Sequence, residues 1–314
     1  MPPVAHWDDV EPVRRERGHI AGDWRDLGTA AGSVTVGVQR IQVDPGMWST
    51  PLHLEGAEEE IFFVLSGSGT SLLWEGEGEG TAHEVRAGDC LVYLALEVAH
   101  TLQAGPDGID ALAFGMRTYA DAATYLPRAG VAWLGATWVE AGTEDNHPWK
   151  REAAAGAPEV GEIGDRPSTT VNVEDADPEE FTGETVAFAE RDLGTAAGSL
   201  RTGINHVVVP PGMLNCPPHC HSAEEELFVV LEGEGALLLG DEEHAVRPGS
   251  VVSRPAGSRV AHAFRAGDEP LVLLAYGTRE PNDITYYPRS GKVSFRGVGV
   301  IGRLDPLDYW DGER

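Results

Sequence analysis

Apolar residues fall in short runs along this chain. EIFFVLSG (60–67), CLVYLAL (90–96), ELFVVLEG (226–233), SVVSRP (250–255) and PLVLLAYG (270–277) are rich in β-branched and aromatic residues. Gly, Pro and acidic residues bound them, which is the signature of short strands separated by turns. No long stretch repeats at a helical period. The 39 glycines and 21 prolines recur at close intervals, as an all-β chain requires. The pattern predicts an all-β protein.

The runs occur twice. Asp26-Leu27-Gly28-Thr29-Ala30-Ala31-Gly32-Ser33 recurs unchanged at 192–199, and Pro45-Gly46-Met47 answers Pro211-Gly212-Met213 at the same offset. Glu60 and Gly67 answer Glu226 and Gly233 at that offset too. The register then slips within the Gly-rich polar stretch WEGEGEGTAH (74–83), where a hairpin tip tolerates a change of length, so that His100 answers His262. Further on, FGMRTYADAATYLPRAG (114–130) answers YGTREPNDITYYPRSG (276–291). A period this long means a duplicated domain, and 314 residues suffice for two domains with a core each. The expected division is a first domain at 1–140, a linker at 141–170 that packs in part over it, and a second domain at 171–314. Asn172 is expected to open the second domain as His6 opens the first.

Candidate chemistry concentrates in the second copy. His219 and His221 stand two apart in extended chain, so both imidazoles face one way and Cys220 the other. Glu226 heads the next strand, and His262 lies in a distant segment. Three histidines and a carboxylate suit one divalent transition metal, Mn, Fe, Co, Ni or Zn. Buried together without an ion they would carry a heavy desolvation cost. The first copy keeps His53, Glu60 and His100 but has Glu55 in place of the second histidine. Two histidines and two carboxylates either bind a second ion or mark a site that has lost it. Arg254 and Arg259 flank the turn before His262 and are candidates to meet an anionic substrate, or are ordinary surface arginines. Arg117 and Arg279 are present in both copies, which points to structure. Glu224, Glu225, His83 and His244 read as solvated.

Two motifs carry a resemblance. Gly212, His219, His221, Glu226 and Gly233 follow the first cupin motif, and Gly249, Pro255, Gly257 and His262 follow the second, with two extra residues before the histidine. The chain resembles the cupin superfamily, and the duplication makes it similar to a bicupin. Asp192-Leu193-Gly194 and Tyr287-Pro288-Arg289-Ser290-Gly291 also resemble a group of two-barrel bacterial proteins. The resemblance implies two tandem jelly-roll (double-stranded β-helix) barrels, with a metal in the mouth of the second. In the first copy Leu94-Ala95-Leu96 replaces Pro-x-Gly. Relatives with this ligand set include dioxygenases, oxalate-degrading enzymes and isomerases. The expected activity is therefore a dioxygenase-like or related metalloenzyme acting on a small organic molecule. The alternatives are a non-catalytic ligand-binding cupin and an oxalate-decarboxylase-like lyase. Cupins also pair barrels through exchanged strands, which two fused copies could satisfy within one chain; a homodimer is the further assembly considered.

Charge narrows the partners. A net charge of −28 repels phosphate, which disfavours nucleic acid and anionic membranes. No apolar run reaches membrane-spanning length, and residues 1–19 lack the apolar core of a secretory signal, so a cytoplasmic protein is expected. Cys90, Cys216 and Cys220 make no disulfide framework and are expected to be reduced.

Overall fold

The computed structural model describes residues 3–75, 80–117, 123–134, 137–138 and 147–313. The chain forms two antiparallel jelly-roll barrels built from the two sequence copies. In the first, the long strands Glu60–Trp74 and Ala99–Met116 pair along their length, and Val36–Val43 continues the sheet. In the second, Glu226–Glu232 and Thr202–Val209 flank Leu271–Thr278 in the same way. Among the described residues no helix is long and apolar enough to cross a membrane.

The apolar runs are continuous because these strands are buried on both faces. Along Glu60–Trp74, Phe62 and Val64 point into the first barrel with Leu72, Leu91 and Leu102. Ile61 and Phe63 point the other way, into a core shared by both barrels. There they meet Leu227, Val229 and Tyr276 of the second barrel, while Phe228 and Val230 fill that barrel's own interior. The rings of Phe114 and Tyr276 lie 5.0 Å apart across the seam.

The repeated octapeptide builds this seam. Asp26 caps the short helix Leu27–Ala31, accepting from Thr29 N at 2.9 Å, and Asp192 does the same for Leu193–Ala196 at 2.8 Å. A Cβ on Gly28 would meet Val38 N at 2.9 Å, and one on Gly194 would meet Ile204 N at 2.8 Å, so neither site tolerates a side chain. Arg117 and Arg279 tie onto Asp26 and Asp192, which gives both arginines the structural role expected of them.

Two carboxylates lock the seam reciprocally. Glu59 of the first barrel accepts from Leu200 N, Arg201 N and the hydroxyls of Ser199 and Thr202 in the second. Glu225 of the second accepts from Val34 N, Thr35 N and Thr35 Oγ1 in the first. Glu225 is 1 % exposed and Glu224 3 %, so the expectation that both are solvated is corrected: their negative charge finds donors from another segment instead of water.

The opening strands are exchanged. Ala5–His6 pairs with Ser250–Arg254 of the second barrel, and Thr170–Asn172 pairs with Asp89–Tyr93 of the first. Asn172 thus opens the second copy while hydrogen-bonded to the first, donating to Asp89 Oδ1 at 2.7 Å. His83 is corrected as well. It is buried against Thr170, with 2.9 Å between Nε2 and Oγ1. Within 147–170, the helix Pro148–Ala154 sets Trp149 against Trp24, and Val160–Ile163 adds a parallel strand beside Gly80–Arg86. Residues 141–146 of the expected linker, and 76–79 in the stretch where the two copies slip out of register, lie outside the described residues.

Glu225→Ala strips the acceptor from the N–H groups of Val34 and Thr35, and Glu59→Ala strips it from those of Leu200 and Arg201 across the pseudo-twofold. Each is expected to lower stability by about 3 kcal/mol, read from the urea midpoint, while Glu232→Ala on the exposed strand end leaves it unchanged. A Glu225→Ala protein with the parent midpoint would show that the carboxylate does not hold the seam.

Candidate metal centre

Glu226 follows Glu225, and successive residues of a strand face opposite ways. Anchoring Glu225 in the other barrel therefore aims Glu226 into its own. His219 and His262 reach the same place as an antiparallel pair, with His219 N donating to His262 O at 3.2 Å and His262 N to His219 O at 2.8 Å. His221 stands one pleat beyond His219 on the same face, and Gly257 N donates to its carbonyl at 2.9 Å. This bond ties the Pro-x-Gly turn to the histidine strand, and Gly257 sits at φ +69° to make it.

The four side chains converge. Glu226 Oε2 lies 2.9 Å from His262 Nε2 and 3.3 Å from His221 Nε2. Ligand atoms of His219, His221 and Glu226 all fall within 4.8 Å of one another. His219 Nδ1 is spent on Pro217 O at 2.9 Å and His221 Nδ1 on Asp283 Oδ2 at 2.7 Å, which leaves the Nε2 atoms for the centre. His221 Nε2, His262 Nε2 and Glu226 Oε2 are buried and have no aligned hydrogen-bond partner. Buried polar atoms are seldom left so. A divalent ion would satisfy all three at once, so the donor set fits a transition metal.

Asp283 was not legible as a site residue. The strand Ile284–Tyr287 pairs with Cys220–His221 and delivers it behind His221. Its Oδ1 accepts from the backbone N–H groups of Ser222, Ala223 and Glu224, at 3.1, 2.9 and 3.2 Å. Burial alone would raise this carboxyl, but His221 and the backbone donors hold it well below the usual range. A carboxylate behind a metal-binding imidazole orients the ring and raises its basicity. Tyr287, also missed, sets its ring 5.5 Å from that of His219. The only advance signal for either was the repeated Thr-Tyr-x-Pro-Arg stretch, 124–128 and 285–289, beside them.

Charge is arranged for a cation. Burial opposes ionisation of Glu226, yet His262 and His221 outweigh it and hold the carboxyl well below its ordinary value. Burial lowers His219 to about 4, so it is neutral near pH 7. Burial would also lower His221, but Asp283 and Glu226 overcome it and raise it to about 10. Cys220 faces away, and Cys216 Sγ lies 3.6 Å from His219 Nδ1, on the side away from the centre. Burial raises the Cys216 thiol. All three cysteines are free.

The first barrel also gathers its set, with different neighbours. His53 Nε2 lies 3.4 Å from Glu60 Oε2 and 3.5 Å from Glu55 Oε1, and His100 Nε2 hydrogen-bonds to Glu60 Oε2 at 2.8 Å. Thr124 donates to Glu55 at 2.9 Å. Tyr93 stacks flat on His100, with 3.7 Å between ring centroids. Burial opposes a charged His53, but Glu60 and Glu55 raise it to about 9; Glu60 in turn is held at about 2. Ligand atoms of His53, Glu60 and His100 also fall within 4.8 Å of one another. Leu96 keeps the turn that Gly257 makes, at φ +62° and with its N donating to Glu55 O at 2.8 Å, so the fold survives loss of the glycine at some backbone strain.

Of the two candidate arginines, Arg254 stands opposite Glu226 in strand register, whereas Arg259 is exposed on the rim loop. A cavity of about 240 Å³ borders Glu226 on the side of Asp192, Glu224, Arg279 and Arg296; none of the three histidines lines it, so it is distinct from the point where the four side chains converge.

Two outcomes follow. Asp283→Asn keeps an acceptor for His221 but removes the charge behind it, and is expected to weaken metal binding roughly 10- to 100-fold in competition with a chelator. Ion binding at pH 7.5 is expected to release at least one proton, because His221 holds its proton up to about 10 and must give up the one on Nε2. Affinity then rises with pH toward that value. Calorimetry in buffers of different ionisation enthalpy counts the protons, and a count of zero contradicts the assignment.

Residues 205–277 match the family described as "Cupin domain". No curated protein matches the chain. Among solved structures, the oxalate decarboxylase of Lactobacillus farciminis, in a formate complex, is 20% identical with a TM-score of 0.61, over 89% of this chain and 86% of that one. An oxalate decarboxylase of Bacillus subtilis is 18% identical with a TM-score of 0.60, over 88% and 76%. At such identities the likeness is one of fold, and it extends over both barrels. Residues 205–277 thus form a cupin domain, and the chain as a whole has the two-barrel fold of these structures.

Proposed function

We propose that the second barrel is a mononuclear metalloenzyme centre in which His219, His221, Glu226 and His262 hold a divalent transition ion, and that it acts on a small organic substrate. The observation that carries this is the convergence of His221 Nε2 and His262 Nε2 on Glu226 Oε2, at 3.3 and 2.9 Å, with His219 beside them and all three atoms buried with no other partner. When bound, such an ion supplies Lewis acidity and, for a redox-active metal, a means of engaging O2. The chain's own residues do the rest. Asp283 fixes the tautomer and orientation of His221. Pro217 O does the same for His219. The first barrel, which gathers His53, Glu60 and His100 but has Glu55 in place of the second histidine, serves as the partner that completes the seam.

Two reactions suit the centre. The first is dioxygenase-like cleavage of the substrate. The second is non-oxidative lyase chemistry, favoured by the similarity of fold to oxalate decarboxylases. Oxygen consumption separates them. Protein purified without a histidine tag is expected to carry about one equivalent of Mn, Fe, Co, Ni or Zn by elemental mass spectrometry, and His221→Ala to lose it. With small organic acids supplied, oxygen uptake supports the dioxygenase, and carbon dioxide release without oxygen uptake supports the lyase. No metal after reconstitution leaves a ligand-binding cupin.

A further inference from the structure

Arginine keeps its charge at any physiological pH, so a guanidinium drawn out of water needs an anion or a full set of acceptors. Arg40, Arg128, Arg166, Arg279 and Arg296 have carboxylates on Asp110, Glu152, Asp89, Asp192 and Glu224. Half-buried Arg254 has none within salt-bridge distance among the described residues. Its Nη2 donates to Ser258 Oγ at 3.2 Å and to Val260 O at 3.1 Å, which tethers one side of the fork to the rim loop. Its Nε is buried and donates to nothing. Burial works against its charge, and Glu226 is the foremost group that favours it.

The direction of this side chain follows from the strand. Arg254 ends Ser250–Arg254 directly opposite Glu226, and Val252, two residues earlier, lies in the barrel interior with Phe228. Residues two apart share a face, so Arg254 projects inward. Tyr93, opposite Glu60 in the first barrel, holds the same register position and does point inward, onto His100. The second barrel thus carries a cation where the first carries a neutral ring.

We infer that Arg254 is the anion-recognition residue of the second barrel, and that the site takes a small organic carboxylate. The class of substrate deepens the metalloenzyme reading and rests on it for the location of the chemistry. A carboxylate is a planar acceptor pair that matches the guanidinium edge, which a neutral amide of the same shape does not.

The test is calorimetric titration of acetate, malonate and succinate, and of their neutral amides, into the full-length protein. It is run manganese-loaded and metal-free, for the parent, Arg254→Met and Arg254→Lys, with metal content measured on each sample. At least one acid is expected to bind ten or more times tighter than its amide. Arg254→Met, which keeps an apolar stem, is expected to weaken that acid roughly 10- to 100-fold with metal content unchanged. Arg254→Lys is expected to recover only part, because an ammonium lacks Nε and the planar fork. It also serves as the working variant if Arg254→Met does not fold. Acid binding that is unchanged in the variants, no acid binding at all, or equal affinity for acid and amide would overturn the inference. Arg254-dependent acid binding without metal uptake keeps the inference and sinks the metal centre; metal uptake with Arg254-independent binding does the reverse.

Discussion

A pair of carboxylates buried across the seam governs the geometry of both barrels. Glu59 and Glu225 each leave their own barrel and accept hydrogen bonds from the loop that follows the repeated octapeptide in the other. A buried charge is tolerated only where its acceptor capacity is filled, and here backbone N–H groups and hydroxyls fill it. The loops must therefore hold one shape, which requires the capped helix, Gly28 and Gly194 against the neighbouring strand, and the Arg117 and Arg279 ties. This accounts for an identical octapeptide in copies that differ at most other positions.

The same pair sets the register of the strands that carry the chemistry. A slip of one residue would exchange the faces of a strand. With Glu225 pinned in the seam, Glu226 must enter the barrel, Leu227 must return to the seam and Phe228 must line the interior. Glu59, Glu60, Ile61 and Phe62 obey the same rule. Seam and site are thus neighbouring teeth of one pleat. Two differences between the barrels, His221 against Glu55 and Arg254 against Tyr93, fall at inward-facing positions, where the shared core is not disturbed.

Much of this was legible from residues alone, for stated reasons. Strand runs, the duplication and the facing of His219 and His221 follow from local periodicity. Glu226 and His262 were found because motif spacing ties them to those histidines. The run Glu224-Glu225-Glu226 shows where local reading stops. One polar tripeptide holds a seam lock, a metal-type donor and a glutamate bonded to Arg296, and only the donors arriving from distant segments tell them apart. His83 was misread for the same cause, since the strand that covers it comes from 170–172. Asp283 reaches His221 only through pairing of the tail strand with Cys220–His221, and the exchange of the opening strands leaves no local mark.

The central claim is that the second barrel, positioned by the seam, is a metal centre. Anomalous diffraction at the absorption edge of the metal found in the protein tests it most directly. The account predicts a peak enclosed by His219, His221, Glu226 and His262, with Asp283 still behind His221. No peak there after reconstitution, or a peak only among His53, Glu60 and His100, would contradict it.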